Sequence, residues 1–255
     1  MADFVAQRSI VRSIWGSSDL ILLIFAGAAA EFALNRAVDW LFFTNRIPTD
    51  PIGRLFSTVR YAQEIVFADE ATAQQALSRI NAAHAAVEGQ RGARIPAWAY
   101  RDVLYMLIDY SERAYQMLHR PLSLAEKQDL YDVFYRVGTA LQVTELPTNY
   151  AEWRVDRQLH LERDLVYSQY TAQLYERYQQ HLGWWRYELV LQLQAALAPE
   201  RVRQLLQLKP APLIATSLRM YGLVGVGELR SLVQWLLLPA NYLEDVRRLD
   251  YAGAT

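Results

Sequence analysis

The sequence predicts an all-α fold, a single globular bundle of about ten helices spanning residues 1–255. Three observations lead there. Apolar residues recur at helical spacing almost from end to end. Two capping boxes, Ser123 to Glu126 and Asn149 to Glu152, announce helix starts. No run alternates apolar and polar residues as a strand does, and no internal repeat is present.

The elements follow in order. Ser17, Ser18 or Asp19 caps a helix that runs to about Phe42, and its apolar run Leu20 to Ala30 reads as buried. That run is too short to cross a bilayer, and the mixed charges before it are not those of a signal peptide. Asn45 to Pro51 is a proline-rich loop, after which Asp50 caps a helix with Pro51 in its first position, ending near Phe67. Asp69 to Thr72 opens the next, which ends near Gly89. A glycine loop to Pro96 precedes a helix from about Trp98 to Leu118. The Ser123 box opens a helix to about Gln142, and the Asn149 box opens a long one reaching Leu182 before Gly183. Gly183 to Leu197 and Pro199 to Leu208 follow. Leu213 to Leu249 reads as two or three apolar helices broken by Gly222, Gly225, Gly227 and Pro239. Within it, Met220 to Tyr242 carries only Glu228 and Arg230 as charges. It closes the core as a helical hairpin, or it lies against a membrane surface with Trp235 and Tyr242 at the interface.

Composition narrows the chemistry. A hydrophobic content of 53% excludes disorder, and a net charge of −1 provides no field to recruit nucleic acid. The absence of cysteine excludes disulfides and thiolate metal sites and favours a cytoplasmic setting. No phosphate loop, dinucleotide fingerprint, HExxH or nucleophile elbow is present. The histidines are His84, His119, His160 and His181, and no two lie three or four residues apart, so none forms a local two-histidine metal pair. A single histidine is still enough to bind a haem iron. His84 falls on one helical face with Ala73, Ala76, Leu77, Ile80, Ala83 and Val87, which turns it towards the core. His119 sits at a helix end, and the charged neighbours of His160 and His181 read as exposed. On the Pro51 helix, Ile52, Leu55, Val59, Ala62 and Val66 make the apolar stripe. Arg54 and Thr58 occupy a flank one turn apart, Thr58 the closer to the core, where a guanidinium and a hydroxyl can address one anion or one oxygen species.

At these residues the sequence resembles a known family. Asp50, Pro51, Arg54 and Thr58 match the DP-x-x-R-x-x-x-T signature of the MpaB and latex-clearing-protein (rubber oxygenase) catalytic domain. His84, Val87 and Gly89 look like its H-x-x-V-x-G segment, and Arg113-Ala-Tyr115, Arg120-Pro121 and Leu146-Pro147 resemble later landmarks. The resemblance is strongest over residues 27–161. It implies a globin-like core and an oxidoreductase that uses haem b and dioxygen to oxygenate or cleave an alkene, an isoprenoid or another lipid-like molecule. It also implies that His84 is the proximal ligand of the haem iron, with Arg54 and Thr58 beside the haem and its distal space. The sequence departs from the pattern at Ser57, where latex-clearing proteins have a lysine, at Asn35-Arg36 in place of His-Pro, and near Leu104 and Tyr105, where a histidine is lost. Glu31 and Asp39 are the nearest carboxylates for a distal base. The alternative is a non-catalytic helical module that binds haem or lipid.

Overall fold

A computed structural model of the protein describes residues 2–43 and 51–224, apart from the side chains of 41, 51–57, 223 and 224. Among these residues the regular elements are helices, joined by two isolated bridges, Asp3 with Asp69 and Asn35 with Leu165. In chain order they are α1 (Ile10–Trp15), α2 (Ser18–Leu34), α3 (Asp39–Phe43), α4 (Pro51–Phe67), α5 (Glu70–Arg91) and α6 (Ala97–Leu118). There follow α7 (Leu124–Ala140), α8 (Tyr150–Arg163), α9 (Gln169–Leu182), α10 (Trp184–Leu197), α11 (Glu200–Leu206) and α12 (Pro212–Val224).

The architecture is built around α2. A helix that is apolar on all sides has to be surrounded, and α2 is buried along almost its whole length. It packs chiefly along α6, with α1, α9, α10 and α11 around it. Gly27 permits that closeness, since a Cβ there would fall 2.4 Å from the Tyr110 ring of α6. Below this pair lies an aromatic cluster in which Trp153 stands 6.1, 6.0 and 5.4 Å from Tyr105, Tyr131 and Tyr150.

The helix starts follow their capping chemistry. Ser123 and Glu126 satisfy each other's backbone N–H groups in a full capping box. Asn149 accepts from the Glu152 N–H, but the Glu152 carboxylate turns to Thr148. Asp69 accepts from the Thr72 N–H and so starts α5. That helix passes Gly89 and stops at Gly92, whose φ of +67° suits glycine and closes the turn.

Three further boundaries differ from the expectation. α1 precedes the first helix expected, capped by Ser9, which accepts from the Val11 N–H. The helix expected to reach Phe42 ends at Leu34, because Asn35 takes an extended backbone and its Oδ1 accepts from the Ala37 N–H. The single helix expected from Asn149 to Leu182 is two, α8 and α9, the second capped by Ser168. The two breaks share a cause. Arg36 N–H donates to the Asp164 carbonyl and Val166 N–H to the Leu34 carbonyl, so each break satisfies backbone groups of the other.

At the far end of α6, α12 packs against it, and Tyr221 Oη donates to Asp19 at 2.9 Å. Among the described residues no helix is long and apolar enough to cross a membrane. The expectation for Met220 to Tyr242 falls mostly outside the described residues.

Candidate active site

His84 lies on α5, on the face that continues the buried residues Ala73, Ala76 and Leu77. The face opens as it proceeds, for Ile80, His84 and Val87 are half-buried and Ala83 is exposed. The imidazole thus stands at the margin of the core, not inside it. Its ring lies against Tyr100 of α6, with ring centroids 5.0 Å apart. Tyr100 is itself fixed, because its hydroxyl donates to Glu88 at 3.2 Å and the same carboxylate accepts the Ile95 N–H at 2.9 Å. Burial, with Glu88 adding to it, raises the phenol pKa, so Tyr100 stays a hydrogen-bond donor. Val103 and Leu107 lie three and seven residues beyond Tyr100 on the same side of α6, one exposed and one half-buried. Tyr100 is the aromatic neighbour of the imidazole, with the half-buried Ile80 and Val87 on the same face of α5.

Arg54 and Thr58 are both on α4, which packs against α5. The Arg54 and Ser57 side chains lie outside the described residues. Thr58 is exposed, contrary to its expected lean towards the core. Val59 and Val66 take the core side of α4, and Thr58 and Tyr61 turn outwards together. The two carboxylates expected near the distal space are both engaged. Asp39 pairs with Arg91 at 2.6 Å, beneath a guanidinium stacked 3.9 Å over the Trp40 ring. Glu31 is 1% exposed and is held in a fork by Arg157, each arm 2.6 Å long.

That fork belongs to a buried ionic network between α2, α6 and α8. Arg157 also donates to Asp109 at 3.0 and 3.2 Å, and Arg113 donates to the other Asp109 oxygen at 2.8 Å. Burial raises the Glu31 pKa, and the attraction of Arg157 does not offset it. Burial also acts upwards on Asp109, but Arg113 and Arg157 together bring its pKa below the ordinary value. The spacing carried a signal for this network. On α8 the buried positions Tyr150, Trp153, Arg157, His160 and Leu161 form one helical stripe, so Arg157 and His160 sit where apolar residues normally do.

His160 corrects an expectation. Its charged neighbours suggested exposure, yet it is 2% exposed. Its Nδ1 contacts Asp102 Oδ1 and lies 2.9 Å from Asp164 Oδ2, and these three side chains bring metal-ligating atoms within 4.8 Å of one another. Asn35 Nδ2 donates to the second Asp102 oxygen at 2.7 Å. Asp102 lies two positions after Tyr100, about 200° around α6, so this cluster and Tyr100 occupy opposite sides of the helix. His119 ends α6 with its backbone N–H on the Tyr115 carbonyl and its ring 4.9 Å from Tyr115. Burial and Arg120 lower its pKa. His181 is half-exposed, and its ring Nδ1 meets the Arg177 carbonyl at 2.9 Å.

One imidazole at a partly open margin is the kind of ligand a haem iron takes, and His84 offers it. No curated relative matches the chain. The sequence profile of a family described as "ER-bound oxygenase mpaB/B'/Rubber oxygenase, catalytic domain" matches residues 16–227, which take in α2 to α12, and the chain belongs to that family.

Proposed function

We infer that the protein is a haem-dependent oxygenase acting with dioxygen on an apolar small molecule, an alkene or isoprenoid by class. Membership of an oxygenase family supports the reaction type. The observation that carries the reading is the His84 imidazole, half-open and braced by Tyr100 at the edge of the core. Haem b, when bound, supplies the one-electron chemistry that lets dioxygen react with a closed-shell alkene.

The chain's own residues do the rest. His84 would hold the haem iron, and Tyr100, itself held by Glu88, packs against its ring. Ile80 and Val87, on the His84 face of α5, offer apolar surface to the substrate. Arg54 and Thr58, one turn apart on α4, offer a guanidinium and a hydroxyl to developing negative charge.

The test is turnover per bound haem. Arg54→Ala and Thr58→Ala are expected to cut oxygen-dependent alkene consumption by about 10²-fold or more while helicity is kept. Wild-type turnover per haem in both variants, or haem binding with no alkene consumed by the unaltered protein, overturns the catalytic reading.

A further inference from the structure

We propose that Asp102, His160 and Asp164 form a second site, unrelated to His84, that binds one divalent transition-metal ion, with Zn²⁺ the cation that fits its ligands best. The site joins α6 to the C-terminal end of α8, and through Asn35 to the end of α2.

The geometry of the histidine carries the argument. Its Nδ1 is shared by two carboxylates, touching Asp102 Oδ1 and lying 2.9 Å from Asp164 Oδ2. An imidazole carries one proton on that nitrogen, and one N–H serves two anionic acceptors poorly. A cation among the three atoms serves all of them. Tetrahedral metal–ligand bonds of about 2.0–2.2 Å set ligand atoms about 3.3–3.6 Å apart, so a cation needs the two carboxylates to move outwards slightly from His160.

The surroundings are those of metal ligands. The second oxygen of Asp102 is held by Asn35 at 2.7 Å. Asp164 is held by Arg163, whose Nε donates to Oδ1 at 2.9 Å and whose Nη2 donates to Oδ2 at 2.8 Å. The second nitrogen of His160 lies 3.7 Å from Asp156 Oδ2, and Asp156 accepts from Tyr105 at 2.6 Å. A carboxylate behind the free nitrogen of a histidine is the usual support of a metal-bound imidazole. Arg163 Nη2 also lies 3.3 Å from that nitrogen.

Charge agrees with the geometry. Three carboxylates, Asp102, Asp156 and Asp164, surround the ring, and the guanidinium bonded within the group is Arg163. A dication brings this set to neutrality. Asp102, His160 and Asp164 are 2%, 2% and 4% exposed, so water screens little of the remaining charge. One imidazole and two carboxylates, without sulfur, select Zn²⁺ or another borderline first-row dication over Cu⁺.

The experiment uses the full chain, stripped with a chelator and titrated with Co²⁺ and Zn²⁺, with haem measured separately. Wild type and His84→Ala are expected to bind one equivalent of Co²⁺ with visible d–d bands. Zn²⁺ at a hundredfold excess over its Kd is expected to raise Tm by about 5–10 °C. The isosteric Asp164→Asn and His160→Gln are expected to weaken Co²⁺ binding at least tenfold. If His160→Gln fails to fold, the wild-type titration and Asp164→Asn decide. Absence of stoichiometric Co²⁺ uptake by wild type, or equal uptake by Asp164→Asn, overturns the proposal.

Discussion

Replacing Arg157 with methionine removes the cation shared by Glu31 and Asp109. Methionine keeps much of the volume of the arginine stem, so packing changes little. The electrostatic change is large. Glu31 loses both arms of its fork at 2.6 Å, and Asp109 keeps only Arg113 among its bonded cations. Both carboxylates are within 2% of full burial. Breaking such a pair from one side costs about 3–5 kcal/mol, which for a chain of this length lowers Tm by about 6–20 °C. The loss also depends on pH. Burial already raises the Glu31 pKa above 4.5, and removing Arg157 raises it further. Between 4.5 and that raised value the folded state holds a proton that the unfolded state has released, so stability falls as pH rises through the window. Lowering the pH from 7 towards 4.5 is therefore expected to restore part of the deficit. Adding Glu31→Leu is expected to restore much of the remainder, because an apolar pair replaces a lone buried charge. Urea denaturation of the two variants at both ends of that pH range measures this. A deficit under about 1 kcal/mol, or a double variant no more stable than Arg157→Met, contradicts the reasoning.

Gly27→Ala is expected to cost about 1–3 kcal/mol in urea denaturation, because its Cβ meets the Tyr110 ring at 2.4 Å and α2 and α6 have to separate. Arg120 and the backbone N–H of Ser123 hold the Glu126 carboxylate at about 2. Its contribution is therefore present above 4.5 and lost as pH falls towards about 2. Glu126→Gln is expected to flatten that part of the acid unfolding curve.

Much of the fold was legible because its signals are local. Capping at Ser123, Asn149 and Asp69 and the all-apolar run of α2 each rest on a few adjacent residues. The breaks at Asn35 and Asp164 were not legible, because each is stabilised by backbone partners about 130 residues away in sequence, which no window contains. The same limit hid the ionic network. Glu31 was read only as a carboxylate near the distal space, because its partners lie on α6 and α8. His160 was misread because charged neighbours usually mean solvent, whereas here Asp102 and Asp164 are buried with it. His84 was legible as a face residue, and its partner Tyr100, across a helix junction, was not.

His84 is proposed to hold the iron of a bound haem. The absorption spectrum of freshly purified protein, with pyridine haemochrome quantitation, tests it directly. Wild type, His119→Ala and His181→Ala are expected to show a Soret band and near-stoichiometric haem, and His84→Ala to lose most of it. A colourless wild-type protein after haem reconstitution, or equal haem content in all three variants, contradicts the account.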